Sequence, residues 1–185
     1  MFTLKQLAPY AALIALSGCA QVPGAPSGVA PSAVPRLGQP ISAADAAAWD
    51  ISIPPDGGGL PPGRGTAKQG ESIYIAKCQS CHGEKGGGRP NDALVGGIGS
   101  LASATPVKTV GSYWPYATTL FDYVRRAMPF QAPKSLTADE VYAVSAYILH
   151  LNGIVAADAM LDEQSLATVK MPNRNGFIPF PHKGK

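Results

Sequence analysis

Hydrophobic residues recur at helical spacing in three segments of the chain beyond residue 65. The predicted helices cover residues 67–79, 116–127 and 137–151. The clearest stripe, at positions i, i+3, i+7 and i+10 of the last segment, consists of Val141, Val144, Ile148 and Leu151. This stripe predicts one buried face. We expect the helix that carries it to cross the helix over 67–79 and pack against it.

Polar residues mark the ends of two of these helices. Thr66 and Gln69 have capping-box spacing, and so do Thr137 and Glu140. Asn152 and the following glycine would end the last helix. The glycine-rich chain between 83 and 111 shows no period and is predicted to be a loop.

The N-terminal 18 residues have the pattern of an export signal. Lys5 supplies a positive start, and the apolar run from Leu7 to Leu16 follows. Small residues then precede Cys19, as in a lipobox, where the cysteine receives lipid and becomes the first residue of the mature protein. An ordinary signal peptide that is cut elsewhere is the alternative. Because Ala20 follows the cysteine, the outer membrane is favoured over the inner one.

Composition divides the rest of the chain into three parts. Residues 19–48 are mostly Ala, Pro, Ser, Gly and Val, which predicts a flexible tether. Residues 49–152 would form the folded domain, and residues 153–185 an extension that packs on it. The formal net charge is only +3, which argues against a nucleic-acid partner. The one long apolar run is too short to span a bilayer.

The candidate chemistry lies in the sequence Cys78-Gln79-Ser80-Cys81-His82. This C-x-x-C-H spacing is typical of c-type haem attachment, in which two thiols bond the porphyrin and the histidine binds its iron. A zinc site would need more ligands, and a thioredoxin-like pair would need flanking strands. A Cys78–Cys81 disulfide would leave His82 without a role. The motif occurs once, so one covalent haem c is expected.

The second ligand of the iron could be a methionine, a histidine or a lysine, or the position could stay open. Met128 is favoured because Pro129 follows it and stiffens the backbone that presents the sulfur. Met171 also precedes a proline and stays open as an alternative, whereas Met160 has neither feature to recommend it. The two remaining histidines, expected to be surface or packing residues, are His150 and His182.

The order of these features resembles class I cytochrome c over residues 66–152. Longer runs, among them WDISIPPDGGGLPPGRGTAKQGESIYIAKCQSCHGEKGGG and VGSYWPYATTLFDYVRRAMPFQAP, resemble the cytochrome subunits of Sox-type sulfur (sulfite) dehydrogenases. The resemblance implies an all-α class I cytochrome c fold. It also implies Cys78 and Cys81 as thioether attachments, His82 as proximal ligand and Met128 as distal ligand.

The same resemblance implies an electron-transfer protein rather than an enzyme. Its donor would be a molybdenum-cofactor dehydrogenase that oxidises sulfite or a related sulfur compound, and its acceptor a soluble cytochrome or an oxidase. The predicted location is the periplasm, with a membrane anchor at Cys19. The alternative is a haem enzyme or gas sensor with an open distal position. Three aromatic residues are candidates for contact with the haem, with ordinary core packing as the alternative: Tyr113, Trp114 and Tyr116.

Overall fold

The protein is described by a computed structural model over residues 37–178. Within these residues the regular structure consists of six α-helices, two short strands and two turns of 3-10 helix. The helices are α1 (Ala43–Trp49), α2 (Ala67–Lys77), α3 (Gln79–His82), α4 (Val110–Tyr113), α5 (Ala117–Ala127) and α6 (Ala138–Leu151). The strands are β1 (Arg64–Thr66) and β2 (Met160–Asp162), and single turns of 3-10 helix lie at Glu84–Gly86 and Leu166–Thr168. The predicted signal peptide, Cys19 and His182 lie outside the described residues.

Both predicted capping boxes are present. The Thr66 hydroxyl accepts from Gln69 N at 3.3 Å, and the Gln69 side chain accepts from Thr66 N at 2.8 Å. Thr137 and Glu140 make the equivalent pair of bonds, at 3.2 and 2.8 Å. These bonds satisfy backbone donors that the first turn of a helix leaves free, and they fix where α2 and α6 begin.

Helix α6 is buried more completely than its hydrophobic stripe predicts. Every residue from Val141 to Leu149 is buried, on all sides of the helix. As predicted, α2 crosses α6, and the crossing is close because Gly70 has no side chain. A Cβ built on Gly70 would overlap the carbonyl group of Ala143 and lie 2.8 Å from Tyr147 Cβ. On another side, Phe121 of α5 packs against Tyr142 with ring centroids 4.5 Å apart.

The expectation of an all-α domain needs one correction. β1 and β2 pair in antiparallel fashion, with Arg64 opposite Asp162 and Thr66 opposite Met160. Each strand has three residues, too few to show the alternation that identifies a strand in a sequence. The pair joins the chain just before α2 to the chain after α6.

The C-terminal extension contributes to the core itself. Leu161, Leu166 and Met171 belong to the same buried cluster as Tyr74 and Leu149. Residue 152 is therefore not a boundary of the hydrophobic core.

Two smaller observations concern short helices. The helix expected over 67–79 breaks at Cys78, whose backbone (φ −123°, ψ −37°) is not helical, and α3 follows the break. At the end of the segment predicted as a tether, where the sequence also allows a helical turn, Ala43–Trp49 forms a capped helix in which Ser42 accepts from Asp45 N at 3.1 Å. None of the helices in residues 37–178 has the length and hydropathy needed to cross a membrane.

Candidate functional site

The Cys78–His82 motif occupies the turn where α2 ends and α3 begins, and the chain that follows it is fixed by backbone hydrogen bonds. Asn91 N donates to Cys81 O at 2.8 Å, and Gly88 N donates to His82 O at 2.7 Å. The Tyr74 hydroxyl donates to Gly83 O at 2.9 Å from inside the core. The motif is therefore held by the loop after it and by α2.

The two thiols of the motif are free and half-buried. Burial, reinforced by the nearby Cys81, raises the pKa of Cys78 to about 11, so this thiol is protonated at neutral pH. Within residues 37–178, no three His, Cys, Asp or Glu side chains form a metal-binding group. The described part of the chain thus offers neither the ligand set of a structural zinc site nor a Cys78–Cys81 disulfide.

The imidazole of His82 is oriented by a backbone carbonyl. Its Nδ1 lies 2.9 Å from Asp92 O. A carbonyl can only accept, so Nδ1 carries a proton, and the lone pair of the neutral imidazole is then on Nε2. A histidine that binds a metal usually has this arrangement, in which the hydrogen-bond partner of the other ring nitrogen fixes both the tautomer and the ring orientation.

Cys78, Cys81, His82 and Met128 all line one cavity of about 230 Å³. Its apolar wall comes from the loop after the motif and from α4, α5 and α6, and includes Leu94, Val110, Trp114, Leu120, Val144 and Ile148. Two thiols, an imidazole nitrogen and a thioether sulfur around an apolar space form the donor set that a c-type haem requires. The residues present therefore fit this cofactor.

The structure separates Met128 from the other candidates for the second ligand. Met128 is the C-terminal cap of α5, its N donating to Val124 O at 3.0 Å, and it is half-buried on the cavity. Met171 is only 3% exposed and belongs to the core, while Met160 on β2 is 52% exposed. His150 does not line this cavity, and its Nδ1 lies 3.2 Å from Val155 O.

The three aromatic candidates divide between two environments. Trp114 lines the cavity and meets Tyr123 edge to face, with centroids 5.7 Å apart. Tyr113 and Tyr116 instead contact the C-terminal extension, through Phe177 at 5.3 Å and Arg174 at 4.5 Å.

Sequence reasoning did not find the Asp92 carbonyl that orients His82, since a backbone acceptor leaves no signal in the residue type.

Two comparisons with known proteins agree with this site. The family model described as cytochrome c oxidase, cbb3-type, subunit III matches residues 65–148. A chain in the crystal structure of the sulfane dehydrogenase SoxCD from Paracoccus pantotrophus matches with a TM-score of 0.73 and 41% sequence identity. The match covers 80% of this chain and 73% of that chain. The chain belongs to the Sox-type c-type cytochromes. No curated protein sequence matches it.

Membership in this family has direct consequences. A Sox-type cytochrome carries a covalently bound haem c and transfers electrons, rather than catalysing a reaction on a substrate. The likeness to SoxCD connects this electron transfer with sulfur oxidation.

Tyr74 gives this Sox-type cytochrome a predicted sensitivity to alkali. Burial raises the pKa of Tyr74 from 10.0 to about 12. Above pH 10 the unfolded chain ionises this residue while the folded protein keeps it protonated. The contribution of protonated Tyr74 to the free energy of unfolding is therefore complete below pH 10. It is lost as the pH rises towards 12, and the loss amounts to about 3 kcal/mol in total.

The Tyr74→Phe variant tests this dependence. At pH 7 it should be less stable by about 1 kcal/mol, because Gly83 O loses its buried donor. Its free energy of unfolding, measured by circular dichroism in guanidinium, should fall less than that of the wild type between pH 10 and 12. The half-exposed Tyr123, changed to Phe, is the control and should follow the wild type. Equal slopes for Tyr74→Phe and the wild type would contradict the prediction.

Proposed function

We propose that this chain is a periplasmic electron carrier with one haem c, which Cys78 and Cys81 would attach covalently and whose iron His82 and Met128 would bind. It accepts electrons one at a time from a molybdenum-containing dehydrogenase of sulfite or another sulfur compound. It passes them to a respiratory acceptor, either a soluble cytochrome or an oxidase. The observation that supports this assignment best is the meeting of all four side chains on one apolar cavity.

Each side chain has a distinct task in this proposal. When bound, the haem supplies a one-electron couple whose potential depends on its axial ligands. His82 offers Nε2 because Asp92 O holds its Nδ1 proton. Met128 would supply a thioether sulfur as the second ligand of the iron, which would leave no free position for a substrate or gas and would raise the potential relative to a second histidine. The apolar wall excludes water from the ligands.

The SoxCD match supports the proposed donor, because SoxCD is a sulfane dehydrogenase. The count of one haem rests on the single C-x-x-C-H motif in the chain. Residues 1–18 support export, and Cys19 supports a lipid anchor, with the outer membrane favoured. Anchoring by acyl chains would keep the carrier at the membrane surface, since two or more chains hold a protein there stably.

The Met128→Ala variant tests the assignment of the second ligand. We expect it to keep its covalent haem, to lose the weak far-red absorption band of methionine-ligated ferric haem, and to bind CO promptly when reduced. Its reduction potential should fall, and stopped-flow reduction by a molybdenum sulfur dehydrogenase should slow by about tenfold or more, a barrier change of about 1.4 kcal/mol.

Met160→Ala is the matched control, because this methionine lies on β2 and is half-exposed. It should keep the far-red band, the potential and the reduction rate. A wild-type protein that already lacks the band and binds CO would favour the haem enzyme or gas sensor instead. Unchanged reduction of Met128→Ala by the dehydrogenase would show that the ligand does not serve electron transfer.

A further inference from the structure

Asn152 is buried and uses its whole side chain in hydrogen bonds. It is only 8% exposed, and it follows the last residue of α6. Its Nδ2 donates to Leu94 O at 3.1 Å and to Ile148 O at 2.9 Å, and its Oδ1 accepts from Gly96 N at 3.1 Å. Both N–H groups and the oxygen of this amide therefore each have a hydrogen-bond partner.

The room for this side chain comes from α4. A Cβ built on Gly111 would overlap the carboxamide of Asn152, so only glycine at position 111 lets α4 approach so closely. Helix α4 also contributes a bond of its own to the loop, because Thr109 Oγ1 donates to Gly96 O at 2.7 Å. Both polar groups of Gly96 are therefore held, one by Asn152 and one by Thr109.

Loop 91–96, which is held in this way, is the one that carries the Asp92 carbonyl. Its other attachments lead back to the haem-binding motif, since Asn91 N donates to Cys81 O and Leu94 N donates to Gly86 O at 2.9 Å. Asp92 lies between these attachments, and its own side chain makes none of them. The position of Asp92 O relative to His82 thus depends on the hydrogen bonds that hold the two ends of the loop.

We propose that Asn152 is a positioning residue for the haem: it ties loop 91–96 to the end of α6 and so fixes the Asp92 carbonyl that orients His82. The inference rests on the proposed function, in which His82 is the proximal ligand. A firm Nδ1–H bond makes the imidazole a stronger donor to a metal, so the tie also sets the reduction potential.

The test follows the exchange of the His82 Nδ1 proton in the reduced holoprotein by NMR, together with the amide protons of Leu94 and Gly96. In Asn152→Ala we expect all three protons to exchange about tenfold faster, the factor that corresponds to the loss of about one hydrogen bond. The reduction potential should rise, because the imidazole becomes a weaker donor. Haem content should stay at the wild-type level.

Asn173→Ala is the matched control. Asn173 Nδ2 donates to Tyr113 O at 2.6 Å, so this variant also removes a bond from an asparagine amide to a backbone carbonyl, but one on α4 and not on loop 91–96. It should leave the His82 proton and the potential unchanged, because Asn173 bonds the last residue of α4 and makes no hydrogen bond to loop 91–96 or to His82. Equal acceleration of the His82 proton in both asparagine variants would overturn the proposal, because the effect would then be a general loss of stability.

Two further measurements apply if Asn152→Ala does not fold. Asn152→Asp has the same shape but places a carboxylate oxygen against two carbonyl oxygens, and it should give the same changes. In the wild type, the three protons should exchange through the same local unfolding reaction, because loop 91–96 and His82 are joined by hydrogen bonds. The free energies of their exchange should then depend on denaturant concentration in the same way. A His82 proton that exchanges through a separate, easier opening would overturn the proposal without any variant.

These outcomes separate the inference from the proposed function. A wild-type protein whose haem is bound by a residue other than His82 contradicts the function and removes the premise of the inference. If His82 binds the iron in the wild type and the Nδ1 proton exchanges at the wild-type rate in both Asn152 variants, only the role of Asn152 is contradicted.

Discussion

Replacement of Gly70 by alanine is expected to lower the free energy of unfolding by about 3 kcal/mol, the upper range for overpacking a dense core. The added methyl group would overlap the Ala143 carbonyl, which is part of the backbone of α6 and cannot rotate away. Helix α2 would have to move off α6, and the contact between Tyr74 and Tyr147, with centroids 5.4 Å apart, would weaken. The higher helix propensity of alanine offsets only about 1 kcal/mol of this cost.

Denaturant unfolding of the holoprotein measures the loss. Gly87→Ala is the control, because Gly87 has an ordinary negative φ of −74° and its added Cβ would meet nothing closer than 3.5 Å. That variant should match the wild type or be slightly more stable. A Gly70→Ala protein of wild-type stability would show that the two helices do not cross as closely as described.

Changing both Cys78 and Cys81 to serine should have the largest effect of all. We expect the double variant to lose all covalent haem, so that denaturing electrophoresis followed by haem staining detects none. The chain should also lose most of its helical circular dichroism, because the apolar walls around the cavity would pack against nothing. An empty cavity lowers the free energy of unfolding by about 24 cal/mol per Å³. For the cavity of about 230 Å³ around the motif, this loss approaches the whole stability of a small domain.

Met128→Ala serves as the comparison for this experiment. It changes the same cavity but leaves both thiols, so its haem should stay attached under denaturing conditions. Covalent haem in the double serine variant would place the attachment elsewhere and contradict the assignment of the motif.

The features that sequence reasoning predicted well are local ones. The capping boxes at Thr66 and Thr137 place partner groups within three residues of each other, so the residue types alone predict the start of α2 and α6. The residues proposed to hold the haem, which stay a prediction, were also chosen from short patterns, C-x-x-C-H and Met-Pro. Their meeting on one cavity is a property of the fold that the motifs could only imply through a resemblance.

The features that were missed depend on contacts far apart in the chain. The β1–β2 pair joins residues nearly a hundred positions apart, and neither strand is long enough to carry a pattern. Asn152 was recognised only as a helix stop, because its partners are backbone groups on Leu94 and Gly96. The burial of α6 on every side follows from Gly70 and from the extension, which a single helical stripe does not encode.

The antiparallel pair of β1 and β2 also bears on how this protein can be shortened. Truncation at residue 152 would look natural from the sequence, since the haem motif and the last long helix both precede it. It would strip β1 of its partner strand and remove Leu161, Leu166 and Met171 from the interior. The smallest autonomous folding unit must therefore extend at least to Met171, and a minimal electron-transfer module cannot be cut from the chain at the end of α6.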